Sequence, residues 1–134
     1  MIVDPSALVA ISAEEPGADQ ISRILRDAER VQMSAASYVE LCSVIDNRIW
    51  PRDSRRLDAM LVAYGVEIVP FTASQATIAR DAYRDFGKGS GHRAHLNMGD
   101  CFSYALAYET DDELLFVGDD FKYTDVRPAW LPES

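Results

Sequence analysis

Short apolar blocks recur along the chain, each followed by a longer stretch whose apolar positions repeat at helical spacing. The blocks are residues 1–4 ("MIVD"), 31–34 ("VQMS"), 66–71 ("VEIVPF") and 113–118 ("ELLFVG"), and each predicts a strand. Residues 6–12 predict a brief helix with Ser6 available as its N-cap. Ile21, Ile24, Leu25 and Ala28 recur at helical spacing in a second helix opened by Pro16 and Gly17. Residues 35–50 predict a long helix with Val39, Leu41, Cys42, Val44 and Ile45 on its apolar face, ended by Pro51. Two further amphipathic helices span 52–65 and 73–87, each closed by glycine. Another helix covers 98–110, and 126–132 is a candidate for one last edge strand. No repeat, linker or low-complexity tract interrupts the pattern.

Strands alternating with helices predict an α/β fold: a central parallel sheet of four to five short strands with helices on both faces. A length of 134 residues suits one domain spanning 1–134 with a real core, since 48% of the residues are hydrophobic. No run approaches the ~20 apolar residues of a membrane span. With no visible export signal, the expectation is a soluble, cytoplasmic protein. Cys42 and Cys101 lie in helix-like apolar surroundings and read as reduced core thiols.

Several apolar blocks stop abruptly at acids. Asp4 ends the first strand, and Asp119 and Asp120 follow the "LLFVG" block. Glu40 lies one to two turns into the helix after the second strand, and Asp100 lies in the first turn of the helix at 98–110. In an open parallel sheet, strand ends and helix beginnings share one edge, where ligands bind. Singly, each acid reads as a helix cap or a solvated loop residue, because helix N-termini favour negative charge. Four or five together would repel strongly unless a cation neutralised them. Carboxylates without nearby histidine or thiolate suit Mg²⁺ or Mn²⁺, and such a centre can bind phosphate and activate water.

Four stretches carry a resemblance over nearly the whole chain: "MIVDPSALVAI", "SAASYVEL" around Glu40, "YRDFGKGSGHRAHLNMGDCFSYALA" around Asp100, and "LLFVGDDFKYTDV". The chain resembles the PIN-domain ribonucleases, and more narrowly the VapC toxins of VapBC toxin–antitoxin pairs. The resemblance implies a PIN-like three-layer α/β/α sandwich and a Mg²⁺- or Mn²⁺-dependent endoribonuclease that arrests translation by cutting tRNA or rRNA. It also implies a homodimer and a VapB-type antitoxin that blocks the site. Carried over by position, Asp4 and Asp100 correspond to the principal metal ligands. Glu40 and the "GDDF" acids complete the catalytic pocket, with Asp120 preferred to Asp119 because it directly precedes phenylalanine. Many relatives have Thr-Ser or Ser-Ser after the first aspartate. Here Pro5 removes a hydroxyl and a backbone donor, and Ser6 keeps one hydroxyl to orient Asp4.

The net charge of −9 is awkward for an RNA partner. Setting the five pocket acids aside leaves 17 acids against 13 basic residues, a balance of −4. Lys88, His92, Arg93 and His95 crowd one glycine-rich loop just before Asp100, with Arg84 upstream, and are candidates for contacting RNA phosphates. That loop lacks the spacing of a nucleotide-binding P-loop, its histidines lack zinc partners, and no nucleophilic serine elbow is present. Tyr104 and Tyr108 read as core or dimer surface rather than an RNA stacking platform. The apolar helices between Asp19 and Tyr64 predict a symmetric homodimer, which the resemblance also implies. The competing reading is a catalytically impaired PIN-fold module that acts only through its antitoxin, and Pro5 is the feature that supports it.

Overall fold

A computed structural model describes residues 1–48 and 51–132; the side chains of 48–53 lie outside that description. Its strands are shorter than the apolar blocks that carry them: β1 (Ile2–Val3), β2 (Val31–Ser34), β3 (Val66–Val69) and β4 (Leu114–Leu115). They form one parallel sheet in the order β3-β2-β1-β4, with Ile2 opposite both Gln32 and Leu114. Six helices connect them among the described residues: α1 (Pro5–Ser12), α2 (Ala18–Asp27), α3 (Ala35–Arg48), α4 (Pro51–Ala63), α5 (Ala73–Phe86) and α6 (Met98–Thr110). The expected end of the third helix at Ile49 and Trp50 falls outside the described residues.

The pleat divides the core in two. Ile2 and Leu114 point to one face, where Ala79, Ala82, Leu96, Ala105 and Phe116 pack with them from the α5–α6 side. Val3 and Leu115 point to the other, against Leu8, Ile21, Leu25, Leu41 and Leu57 from α1 to α4. Helices cover both faces, so the molecule is a three-layer α/β/α sandwich. Two-residue strands gain little from pairing, since each backbone hydrogen bond contributes about 0.5–1.5 kcal/mol net. Burying a single Leu or Ile contributes roughly 1.5–3 kcal/mol. The layers, not the ladders, therefore hold β1 and β4 in place.

Several local expectations change. Asp4, not Ser6, is the N-cap of α1, and Pro5 occupies the first helical position. Pro51 opens α4. No fifth strand forms over 126–132; one parallel bridge joins Leu114 to Pro128, its two bonds running from the Leu114 amide to Arg127 O and from the Ala129 amide to Leu114 O, both 2.9 Å. Gly65 has φ +63 and follows α4, the left-handed position expected of a terminating glycine.

β1 lies between β2 and β4, so strand order reverses beside it. The crevice beyond its carboxyl end is where an open parallel sheet holds ligands.

Candidate active site

Asp4 is the first residue past β1, and its backbone N–H donates to Leu115 O at 2.9 Å. Its carboxylate is held on both oxygens. Oδ2 accepts the Ser6 amide at 3.0 Å, and Oδ1 accepts the Ser103 hydroxyl of α6 at 2.5 Å. Ser103 in turn lies 3.2 Å from the Ser37 hydroxyl of α3, and both serines are buried. Ser6 was expected to orient Asp4 through its hydroxyl. The Ser6 amide and hydroxyl both act on that carboxylate, and the hydroxyl oxygen also accepts the Val117 amide at 3.0 Å, tying α1 to the end of β4.

Asp100 is the third residue of α6. Asn97 caps the helix by accepting the Asp100 amide at 2.8 Å, and Asp100 Oδ2 accepts the Asn97 amide at 3.0 Å. This reciprocal capping box buries Asp100 at the helix start. Glu40, half-buried on α3, reaches the same helix end. Its carboxyl lies against Gly99, where an added Cβ would overlap Glu40 Cδ and Oε2.

A 3-10 turn, Asp120–Tyr123, follows β4 and separates the two candidate acids there. Asp119 points away: it is 83% exposed and pairs with Lys122 at 3.2 Å. Asp120 is the one whose charge reaches both Asp4 and Asp100.

The proton affinities record this crowding. Burial raises the Asp4 pKa most, and the Asp120 charge raises it further, against the opposing Ser103 and Ser6 hydrogen bonds. Burial, followed by the charges of Asp4 and Asp120, pushes Asp100 up to about 8 despite the Asn97 amide. Glu40 is raised by burial and then by Asp4. Among the described residues, none of the four acids is seen in an ion pair with lysine or arginine.

Among the described residues, no three His, Cys, Asp or Glu side chains close into a ready coordination shell; Asp4, Glu40, Asp100 and Asp120 form a looser, self-repelling group. The donor set nevertheless fits a hard divalent cation, since it consists of carboxylate oxygens backed by hydroxyls and amides. The adjacent Cys101 supplies no thiolate, because burial and then the Asp100 charge push its thiol up to about 12.

The glycine-rich loop is closed at its base by Leu96 N–H to Phe86 O at 2.9 Å and Lys88 N–H to Leu96 O at 3.0 Å. Lys88, Arg93 and His95 are exposed on it. His92 is held inward: its ring meets Phe86 edge-on at 4.9 Å, and its Nδ1 accepts the Ala94 amide. Arg93 lies over the Tyr123 ring at 4.2 Å, which links the loop to the turn that carries Asp120. Arg84 is paired with Asp85 and Asp81. Tyr104 is buried and donates its hydroxyl to Asp125, with Tyr108 stacked beside it at 6.0 Å.

Ser103 is the site-lining residue that sequence reasoning missed. The available signal was its place three residues after Asp100, one helical turn along α6.

The chain matches the PIN domain family over residues 1–127. It is 50% identical over 129 residues to the ribonuclease VapC42 of Mycobacterium tuberculosis, covering 96% of this chain and 98% of that one. Two solved structures share its fold at low identity. The VapC20 toxin of Mycobacterium tuberculosis, described as cleaving the sarcin-ricin loop, superposes with TM-score 0.69 at 18% identity, covering 95% of this chain and 98% of the other. VapBC2 from Rickettsia felis, bound to a DNA fragment from its promoter, gives TM-score 0.72 at 15% identity, covering 95% of each chain. The chain therefore belongs to the PIN-domain family and, within it, to the VapC ribonucleases.

Proposed function

We propose that this chain, a ribonuclease by family, is a Mg²⁺- or Mn²⁺-dependent endoribonuclease and the toxin of a toxin–antitoxin pair. One observation carries the metal dependence: Asp4, Glu40 and Asp100 all bind protons more tightly than free carboxyls do, with Asp120's charge beside them. Such a group calls for a cation. Asp4 and Asp100 would be the principal ligands, with Glu40 and Asp120 completing the pocket directly or through water. A divalent ion held there supplies Lewis acidity toward water and toward the oxygens of a phosphodiester.

The chain's own residues do the rest. Ser103 and the Ser6 amide fix Asp4 in one rotamer, so that its remaining lone pairs face the crevice. Asn97 does the same for Asp100. Glu40 is half-buried and not hydrogen-bonded into the helix cap, which suits it to accept a proton from the attacking water. Lys88, Arg93 and His95 stand on a loop linked to the Asp120 turn and would contact RNA phosphates. The RNA would be of the tRNA or rRNA class that the VapC resemblance implies; the structural neighbour VapC20 is described as cleaving the sarcin-ricin loop.

A VapB-type antitoxin would silence this edge with an arginine, whose planar fork pairs two oxygens of a carboxylate group at once. The reading of an impaired binding module rested on Pro5. Its place at the first helical position weakens that support, since no helix hydrogen bond needs an N–H there.

The test is RNA cleavage by purified protein with Mg²⁺ or Mn²⁺, then with EDTA. Activity should disappear on chelation and return with added metal. Cleavage that persists undiminished in EDTA, after contaminating ribonuclease is excluded, overturns the metal reading.

A further inference from the structure

We infer that Gly99 is a positioning residue for Glu40: the absence of a side chain at 99 is what lets the Glu40 carboxyl lie against the first turn of α6. The inference rests on the proposed role of Glu40 in the metal pocket.

Gly99 is buried in the second position of α6. Its φ is not positive, so the backbone there is open to any L-residue. Glycine inside a helix is less favourable than alanine. Some local requirement must therefore outweigh helix propensity. Two requirements are possible, and the atoms around Gly99 separate them. If α3 and α6 needed a bare backbone to approach each other, a Cβ at 99 would first meet α3 main chain. It first meets Glu40: the three nearest atoms all belong to that carboxyl, whose Oε2 and Cδ it would overlap and whose Oε1 would lie 2.7 Å away. The space denied to a Cβ is the space that holds one carboxyl group.

The consequence separates fold from function. A glutamate side chain can rotate, so alanine at 99 leaves both helices in place and drives the Glu40 carboxyl out of the pocket. Gly99→Ala should thus imitate removal of Glu40 without touching any acid.

The experiment compares wild type, Gly99→Ala, Glu40→Ala and the double variant. Each is measured for kcat/KM on RNA with Mn²⁺, for Mn²⁺ binding by calorimetry, and for thermal unfolding. Gly99→Ala should keep or raise the unfolding temperature while losing about 10–100-fold in kcat/KM or Mn²⁺ affinity, the range for displaced supporting groups. In the Glu40→Ala background the same change should cost nothing further. Wild-type activity in Gly99→Ala overturns the inference, as does an equal loss in both backgrounds, which marks a purely structural glycine. If Gly99→Ala does not fold, recovery of folding in the double variant supports the clash, and failure of both overturns it. Should wild type itself show no metal-stimulated cleavage, the metal reading fails on its own. A crystal structure of Gly99→Ala then still decides: a displaced Glu40 carboxyl supports the inference, and an unmoved one overturns it.

Discussion

With the Asn97 amide on one oxygen and like charges close by, Asp100 is pulled between two roles, as part of a helix cap and as a buried acid. Its carboxyl is pushed up to about 8 from an ordinary 3.8. Between those values the folded chain keeps a proton that the unfolded chain has lost. That contribution to stability is complete below about 4 and disappears as pH rises through about 8. Asp4 and Glu40 shift in the same direction. Metal-free protein should therefore lose stability from pH 5 to pH 8, and Mg²⁺ should restore it at the alkaline end. Asp100→Asn should exceed wild type modestly near pH 5 and by much more at pH 8, and abolish cleavage while still binding antitoxin. Thermal unfolding at both pH values, with and without metal, checks this; a pH slope unaltered by Asp100→Asn would place the carboxyl in solvent. At this scale the sequence was legible where chemistry alone decides. Asp4, Glu40, Asp100 and the Asp119–Asp120 pair could be singled out as acids at one sheet edge, and only the family resemblance preferred Asp120 within the pair. Ser103 could not, because a serine in an apolar helix reads as a small core residue until its hydroxyl meets a partner 99 positions away.

Helices were easier to read than strands because a helix writes its own period into the sequence. α5 and α6 fall close to the predicted spans, whereas β1 and β4 shrink to two residues each. A strand's length depends on its neighbours, and β1 has neighbours from distant parts of the chain. The start of α1 shows a related limit: Asp4, Pro5 and Ser6 are all plausible openers, and only the Ser6 amide on Asp4 Oδ2 decides between them. The opening of α2 is different again. Gly17 has φ +89, and a Cβ there would lie 2.8 Å from Trp130 Cζ2. Trp130 is further fixed by its indole N–H to Gln20 at 2.9 Å. Gly17→Ala should cost about 1–2 kcal/mol from the left-handed backbone alone, plus whatever displacing the indole adds. Urea unfolding measures it, and an unchanged midpoint would mean that the turn relaxes freely.

Across the whole molecule, charge and apolar surface fall differently from their sequence totals. The net −9 is partly concentrated in a pocket suited to a cation, which eases the conflict with an RNA substrate. The homodimer was expected from surplus apolar surface between Asp19 and Tyr64. The fold buries Ile21, Leu25, Leu41, Ile45, Leu57 and Leu61 in the monomer, leaving Val39 and Val62 exposed among the described residues of that region. Met98 and Tyr83, on α6 and α5, add apolar surface elsewhere. A symmetric dimer remains the expected state, and sedimentation at micromolar concentration should find it; monomer alone would count against it.

The sheet order also sets a schedule. Of the four strands β1 is made before the rest, and its partner β4, with the acid at 120 behind it, after them. A chain still growing on the ribosome carries Asp4, Glu40 and Asp100 on an unfinished sheet, with the strand that positions Asp120 not yet in place. With Asp120 in the proposed pocket, a growing chain would lack the complete set of acids until β4 docks beside β1. The antitoxin proposed above would have until that docking to be present.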